Sequence, residues 1–202
     1  MRLLPAALLA WCAVTAAGCG GSNAPVTAPS YDPDAMARAA VQQLDKNGNG
    51  TIEGAELDAC PGLKAALPSI DTNNDKKLSA DELRARFEVY KSLGAGAIGF
   101  TVRVSLDGTP LPDATVTLTP EPFMGGVISE ATGRTGPDGS VNTFTVGGRE
   151  LPGLPPGVYR VAVTKDGAAI PAKYNTQTTL GCEVYGGARG GTPVLELKLS
   201  SR

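Results

Sequence analysis

The 202-residue chain contains no histidine. Without an imidazole it can run neither a Ser–His nor a Cys–His nucleophilic mechanism, and it cannot build the usual His-containing zinc sites. Carboxylate, Lys or Tyr chemistry would have to carry any catalysis. No paired acid and base stands outside two acidic loops described below, so the chain reads as a non-enzyme with no evident small-molecule substrate. Lys and Arg form no run, and the formal net charge is only −2. A phosphate backbone needs a clustered basic surface, which argues against nucleic acid as a partner. Aromatic residues are scarce, and the single Trp, Trp11, lies near the amino end.

Gly (26) and Pro (16) are plentiful, which favours turn-rich β structure over a long helical bundle. The length allows one ordinary domain plus a small one. Residues 1–18 read as an export signal: Arg2 supplies the positive end, and Leu3 to Ala17 is an apolar stretch ending in small residues. It is too short and too poorly flanked for a transmembrane helix. Residues 19–31 hold few apolar side chains and no periodicity, as a flexible tether would.

The end of the signal, Ala16-Ala17-Gly18-Cys19, resembles the bacterial lipobox, with Ala16 where Leu is more usual. The resemblance implies that Cys19 is diacylated and becomes the new N-terminus, anchoring the protein by lipid at the cell envelope, facing the periplasm or exterior. The alternative is an ordinary secretory peptide cleaved near the same place. Cys12 would leave with the signal, so Cys60 and Cys182 remain, one in each half. In an oxidising compartment they form a disulfide or stay as two small buried hydrophobes.

The segment Asp45-Lys-Asn47-Gly-Asn49-Gly50-Thr51-Ile52-Glu53-Gly-Ala-Glu56 resembles the EF-hand calcium loop at every position. Calcium wants six to eight hard oxygen ligands, and a tightly coiled loop can aim positions 1, 3 and 5 at one ion. Asp45, Asn47, Asn49, the Thr51 carbonyl, Glu53 and a bidentate Glu56 would form the set, with Gly50 permitting the sharp turn. A second loop repeats the frame with Asp71, Asn73, Asp75, Lys77, Ser79 and Glu82, and the two are expected to pair through Ile52 and Leu78 at position 8. Lys76 stands where Gly belongs, and a non-Gly residue in a left-handed turn costs on the order of 1 kcal/mol. Two calcium sites are expected, the second the weaker.

Helices are legible around the loops. Asp32-Pro33-Asp34 looks like a helix start, and Ala37, Ala40, Val41 and Leu44 supply an apolar stripe. Leu83, Phe87, Tyr90 and Leu93 keep helical spacing until Gly94. The stretch Leu57 to Ile70 has room for two short helices broken near Pro61-Gly62, the second shortened by Pro68. From Gly94 the texture changes. Alternating runs near residues 100–106, 114–118, 127–135, 140–146, 157–163 and 194–199 argue for a sandwich of short strands.

Leu106-Asp-Gly-Thr-Pro-Leu-Pro-Asp-Ala114-Thr-Val-Thr-Leu118, Thr135-Gly-Pro-Asp-Gly139 and Leu154-Pro-Pro-Gly-Val-Tyr-Arg-Val161 resemble the carboxypeptidase-regulatory-like and transthyretin-like sandwiches. Ile170 to Gly181 looks like a stretch common in predicted lipoproteins of planctomycete-type bacteria. These resemblances imply an accessory or interaction module. A transthyretin-like hydrolase would need histidines. A self-made isopeptide bond would need Lys in the first strand and Asn in the last, where Arg103 and Lys198 stand. Tyr159, Tyr174 and Tyr185 could form a small sugar platform but suit a core or edge as well.

The expected fold class is α+β: an N-terminal helical EF-hand pair over 32–93, a linker over 94–99, and an all-β transthyretin-like (prealbumin/Ig-like) sandwich over 100–202. The expected function is calcium binding in an envelope lipoprotein, the calcium being structural. The alternative is a calcium-dependent adhesion module for an envelope protein or glycan, with a carboxylate-only enzyme ranked last.

Overall fold

The computed structural model describes residues 26–186 and 191–202. The expected export signal, Cys19 and the tether up to residue 25 lie outside the described residues. Helix α1, Pro33–Leu44, begins where Asp32 accepts the Ala35 N–H at 3.0 Å and Pro33 occupies the first turn. Strand β1 (Thr51–Glu53) leads into the single turn α2 (Ala55–Asp58), then α3 (Pro61–Ile70). Strand β2 (Lys77–Ser79) leads into α4 (Ala80–Ser92), which opens on a capping box: the Ser79 hydroxyl takes the Glu82 N–H while the Glu82 carboxylate takes the Ser79 N–H.

Pro68 does not shorten α3 as expected. It sits in the last turn, where its missing donor forfeits one bond. The helix is held instead by packing on a sheet, with Leu63, Ala66 and Ile70 at most 1% exposed. Burying Leu63 and Ile70 contributes about 1.5–3 kcal/mol each, enough to offset that bond.

The later strands are β3 (Thr101–Leu106), β4 (Thr109–Pro110), β5 (Thr115–Pro120), β6 (Ala131–Arg134), β7 (Ser140–Val141), β8 (Phe144–Val146), β9 (Arg149–Leu151), β10 (Gly157–Thr164), β11 (Leu180–Val184) and β12 (Val194–Leu199). Among the described residues they form a six-stranded sheet, ordered β11-β10-β5-β6-β8-β9, and a four-stranded one in which β3 pairs with β12, β4 and β7. The β12–β3 pairing is parallel, while the pairings within the larger sheet are antiparallel. A third sheet is the small β1–β2 ladder between the two acidic loops.

The expected division into a helical pair followed by an all-β sandwich is wrong. Among the described residues there are four α-helices, all within 33–92, and strands in three sheets, one of them inside the helical region. One hydrophobic cluster runs from Tyr31 and Met36 through Leu63, Phe87 and Tyr159 to Leu199, so no boundary divides the core. Phe87 of α4 stacks on Phe123, their ring centroids 5.9 Å apart.

Helix α3 lies so close to β11 that a Cβ at Gly181 would fall 2.0 Å from the Pro61 carbonyl oxygen. Glu121, 2% exposed, accepts the Gly62 N–H at 3.0 Å, so a carboxylate 59 residues away caps α3. Local periodicity marks which residues a strand buries but not that a helix will cover its second face.

The expected linker is structural as well: Ile98 and Leu154 exchange backbone hydrogen bonds of 2.7 and 2.9 Å. The described end of the expected tether lies on the fold, for Tyr31 is buried and donates its hydroxyl to the Pro156 carbonyl.

Of the two alternatives for Cys60 and Cys182, the structure has the second: both are free buried thiols, and no disulfide joins them. Side chains alternate across a strand. Gly181 and Glu183 of β11 meet α3 and α4, so Cys182 between them points to the opposite face. Cys60, at the start of α3 beside Glu121, stays on the helical side. The sheet itself separates the two sulfurs.

Candidate metal centre

Two loops, Asp45–Glu56 and Asp71–Glu82, fold in parallel ways. In the first, Asp45 accepts the N–H groups of Gly48 at 2.7 Å, Asn49 at 3.2 Å and Gly50 at 2.8 Å. The Asn47 side-chain oxygen takes the Asn49 N–H at 3.0 Å, and the Asn49 oxygen takes the Thr51 N–H at 2.9 Å. Glu56 reaches back across the loop, one oxygen on the Lys46 and Asn47 N–H groups at 2.7 and 3.2 Å, the other on the Glu53 N–H at 3.1 Å.

The second loop repeats this wiring. Asp71 accepts from Asp75 and Lys76 at 3.2 and 2.9 Å, Asn73 from Asp75 at 2.9 Å, and Asp75 from Lys77 at 2.9 Å. Glu82 takes the Thr72 N–H at 3.1 Å and the Ser79 N–H at 3.0 Å. In each loop the first and twelfth carboxylates are thus both turned inward onto backbone N–H groups of the loop, the first on its middle and the twelfth on its two ends.

Backbone strain falls where the sequence suggested. Gly48 and Gly50 take φ of 73° and 84° in the first loop, where glycine does so freely. Asn74 and Lys76 take 59° and 64° in the second, and only the asparagine is a residue that tolerates it well. The position-8 pairing is present: Ile52 faces Leu78, both fully buried, with Thr51 opposite Ser79 and Glu53 opposite Lys77.

The electrostatics follow from these contacts. The Glu53 N–H, helped by those of Lys46 and Asn47, holds the Glu56 carboxyl below its usual range against burial and the nearby Asp45. Burial pushes Glu82 upward, but the bonds from Ser79 and Thr72 outweigh it and the net shift is downward. Ser79 spends its hydroxyl on Glu82, at 2.8 Å, as the cap of α4.

Among the described residues no three His, Cys, Asp or Glu side chains are gathered into a metal cluster. What each loop does gather is a mixed set of carboxylate, amide and backbone oxygens. That chemistry fits a hard cation such as calcium and not a soft one. Among the described residues, no helix is long and apolar enough to cross a membrane.

No protein-family model, curated protein or solved structure matches the chain. The loop and sheet resemblances therefore rest on the residues that carry them.

Two clusters were not found from sequence. The first is at the loop pair: Glu53, expected only as a ligand, is engaged by Lys77 Nζ at 2.5 Å and by the Asn49 amide at 2.8 Å. The bond to Glu53 also raises the Lys77 pKa. The position-8 pairing implied that contact, since it sets positions 9 and 7 opposite each other. The second joins the loops to the sheet. Glu183 of β11 accepts from Arg86 and Tyr90 of α4 and from Ser69 of α3. Glu82, Arg86 and Tyr90 are spaced by four, so they share one face of α4. That spacing was a readable signal; the partner on β11 had none.

Proposed function

We propose that the chain binds two calcium ions, one in each of these EF-hand-type loops, and that the ions are structural. Asp45, Asn47, Asn49, Thr51, Glu53 and Glu56 would hold the first. Asp71, Asn73, Asp75, the Lys77 carbonyl and Glu82 would hold the second, with Ser79 tied to the cap. The observation that carries the reading is the repeated inward turn of positions 1 and 12 in both loops, joined by the Ile52–Leu78 ladder. A bound calcium supplies positive charge where these carboxylates converge, and the chain's own residues do the rest. Glu82 begins α4, and the same face of α4 carries Arg86 and Tyr90 onto Glu183. Ordering the second loop therefore seats α4 on the sheet edge.

An affinity of about 10⁻⁴ to 10⁻³ M suits an extracellular module. The second site is the weaker of the two, its loop holding Lys76 at a positive φ where glycine would sit freely. The envelope address, with lipid on Cys19 and an envelope protein or glycan as partner, belongs to the same reading. Metabolic labelling with a palmitate analogue checks the lipid, the label being lost in Cys19→Ser.

Isothermal titration of calcium into the parent chain, Glu56→Gln and Glu82→Gln tests the reading. Two sites are expected, each lost with its own glutamate. Absence of heat together with unchanged helix content refutes calcium binding.

A further inference from the structure

The two loops are joined by more than their ladder. Glu53 at position 9 of the first loop and Lys77 at position 7 of the second are directly opposed in the β1–β2 register. Their side chains close at 2.5 Å, with Lys77 44% and Glu53 28% exposed. The other Glu53 oxygen is held by the Asn49 amide at 2.8 Å, another side chain of the first loop's donor set. Both carboxylate oxygens of this ligand position are thus occupied by donors of the protein itself. Lys77 would serve its own loop through its backbone carbonyl, and its charge is spent on the neighbouring loop.

We propose that Lys77 is an internal competitor for the first calcium site: its ammonium occupies Glu53, and calcium must displace it. This rests on the calcium reading and adds to it a rule for how one loop tunes the other. Lysine beside an acidic loop would ordinarily be expected to weaken the loop that carries it. The contact here sends the penalty to the other loop. It also links the two sites, because filling the second loop fixes the backbone from which Lys77 reaches.

The test is calcium titration of the full chain as parent, Lys77→Met and Lys77→Arg, each also in Glu82→Gln and Glu56→Gln backgrounds. Lys77→Met keeps the stem and removes the charge. A half-exposed pair of this kind is worth a factor of about two to five, so the first site should tighten by that much in Lys77→Met. Lys77→Arg should stay near the parent. The gain should persist in Glu82→Gln, where only the first site remains. In Glu56→Gln, where only the second remains, Lys77→Met should change little. The advantage should shrink towards unity at about 1 M salt, where the screening length is about 3 Å. A gain confined to the second site overturns the proposal, and so does an unchanged first-site affinity in a chain that binds calcium. No calcium heat in the parent overturns the calcium reading itself and this proposal with it.

Discussion

Replacing Arg86 with Met asks whether the helices and the large sheet are one cooperative body. Arg86 Nε sits on Glu183, the two side chains being 12% and 11% exposed, and its guanidinium lies 4.0 Å from the centroid of the Tyr185 ring. Met keeps the aliphatic stem, so the change removes the guanidinium, and with it both the ion pair to Glu183 and the stacking on Tyr185. Breaking a buried pair by deleting one partner typically costs about 3–5 kcal/mol. Glu183 retains the hydroxyls of Tyr90 and Ser69, each recovering about 1 kcal/mol of the lost solvation. The expected loss is therefore about 2–3 kcal/mol, equivalent to a Tm fall of about 5–10 °C for a chain of this size.

Urea and thermal denaturation, each followed by far-UV and near-UV dichroism, read the two quantities. Helix and tyrosine signals should melt together in parent and variant. Adding Glu183→Gln to Arg86→Met should recover part of the loss, since the stranded charge is then gone, with a coupling energy above about 1 kcal/mol. A loss below about 0.5 kcal/mol would show that the pair is screened like an exposed one. Two separate transitions would restore the independent helical unit that the shared core argues against.

Further outcomes follow from the same structure. Burial raises the pKa of Tyr31, Tyr90 and Tyr159, so the native state holds these phenols neutral where the unfolded chain ionises. Stability should be intact below the ordinary tyrosine pKa near 10 and fall as pH rises above it; tyrosinate absorbance should show these three titrating only with unfolding. Burial, with Glu121 adding to it, pushes the Cys60 thiol up to about 12, and burial likewise raises Cys182. Both should resist alkylation in the native state and react in denaturant, and a Cys60–Cys182 crosslinked peptide in the mass spectrum would contradict their placement on opposite faces. Lys76→Gly should relieve the left-handed residue and stabilise the fold by about 1 kcal/mol, measured by urea denaturation.

The parts that were legible in the sequence are those governed by neighbours. Asp32-Pro33 as a helix start, the helical spacing of Leu83, Phe87 and Tyr90, the alternation in β3, β5, β10 and β12, and the Ile52–Leu78 pairing all follow from spacing along the chain. Strand β11 was overlooked because Leu180-Gly-Cys-Glu-Val184 places a glycine and a glutamate on one face. As an exposed face that looks like a poor strand. As a face covered by α3 and α4 it is well chosen, the glycine admitting the Pro61 backbone and the glutamate collecting Arg86, Tyr90 and Ser69. The same ignorance of long-range partners produced the division of the fold into a helical pair and an all-β sandwich, and left a disulfide open. Glu121, one acidic residue after a strand, carried no local sign of the helix it caps.

The seat of the helices also dictates an order of assembly. Glu121 follows Gly62 by 59 positions, and Glu183 follows Arg86 by 97 and Ser69 by 114. During synthesis both acidic loops emerge long before the strand that anchors them. A nascent chain ending before β11 would carry complete loops on helices that can meet Glu121 and Phe123 but lack the Gly181 seat and the Glu183 anchor. Closure over such separations is slow compared with local helix formation. Maturation of the loop pair would then wait on the last third of the polypeptide, and a truncated product should be recognisable by loops that are present yet loosely held.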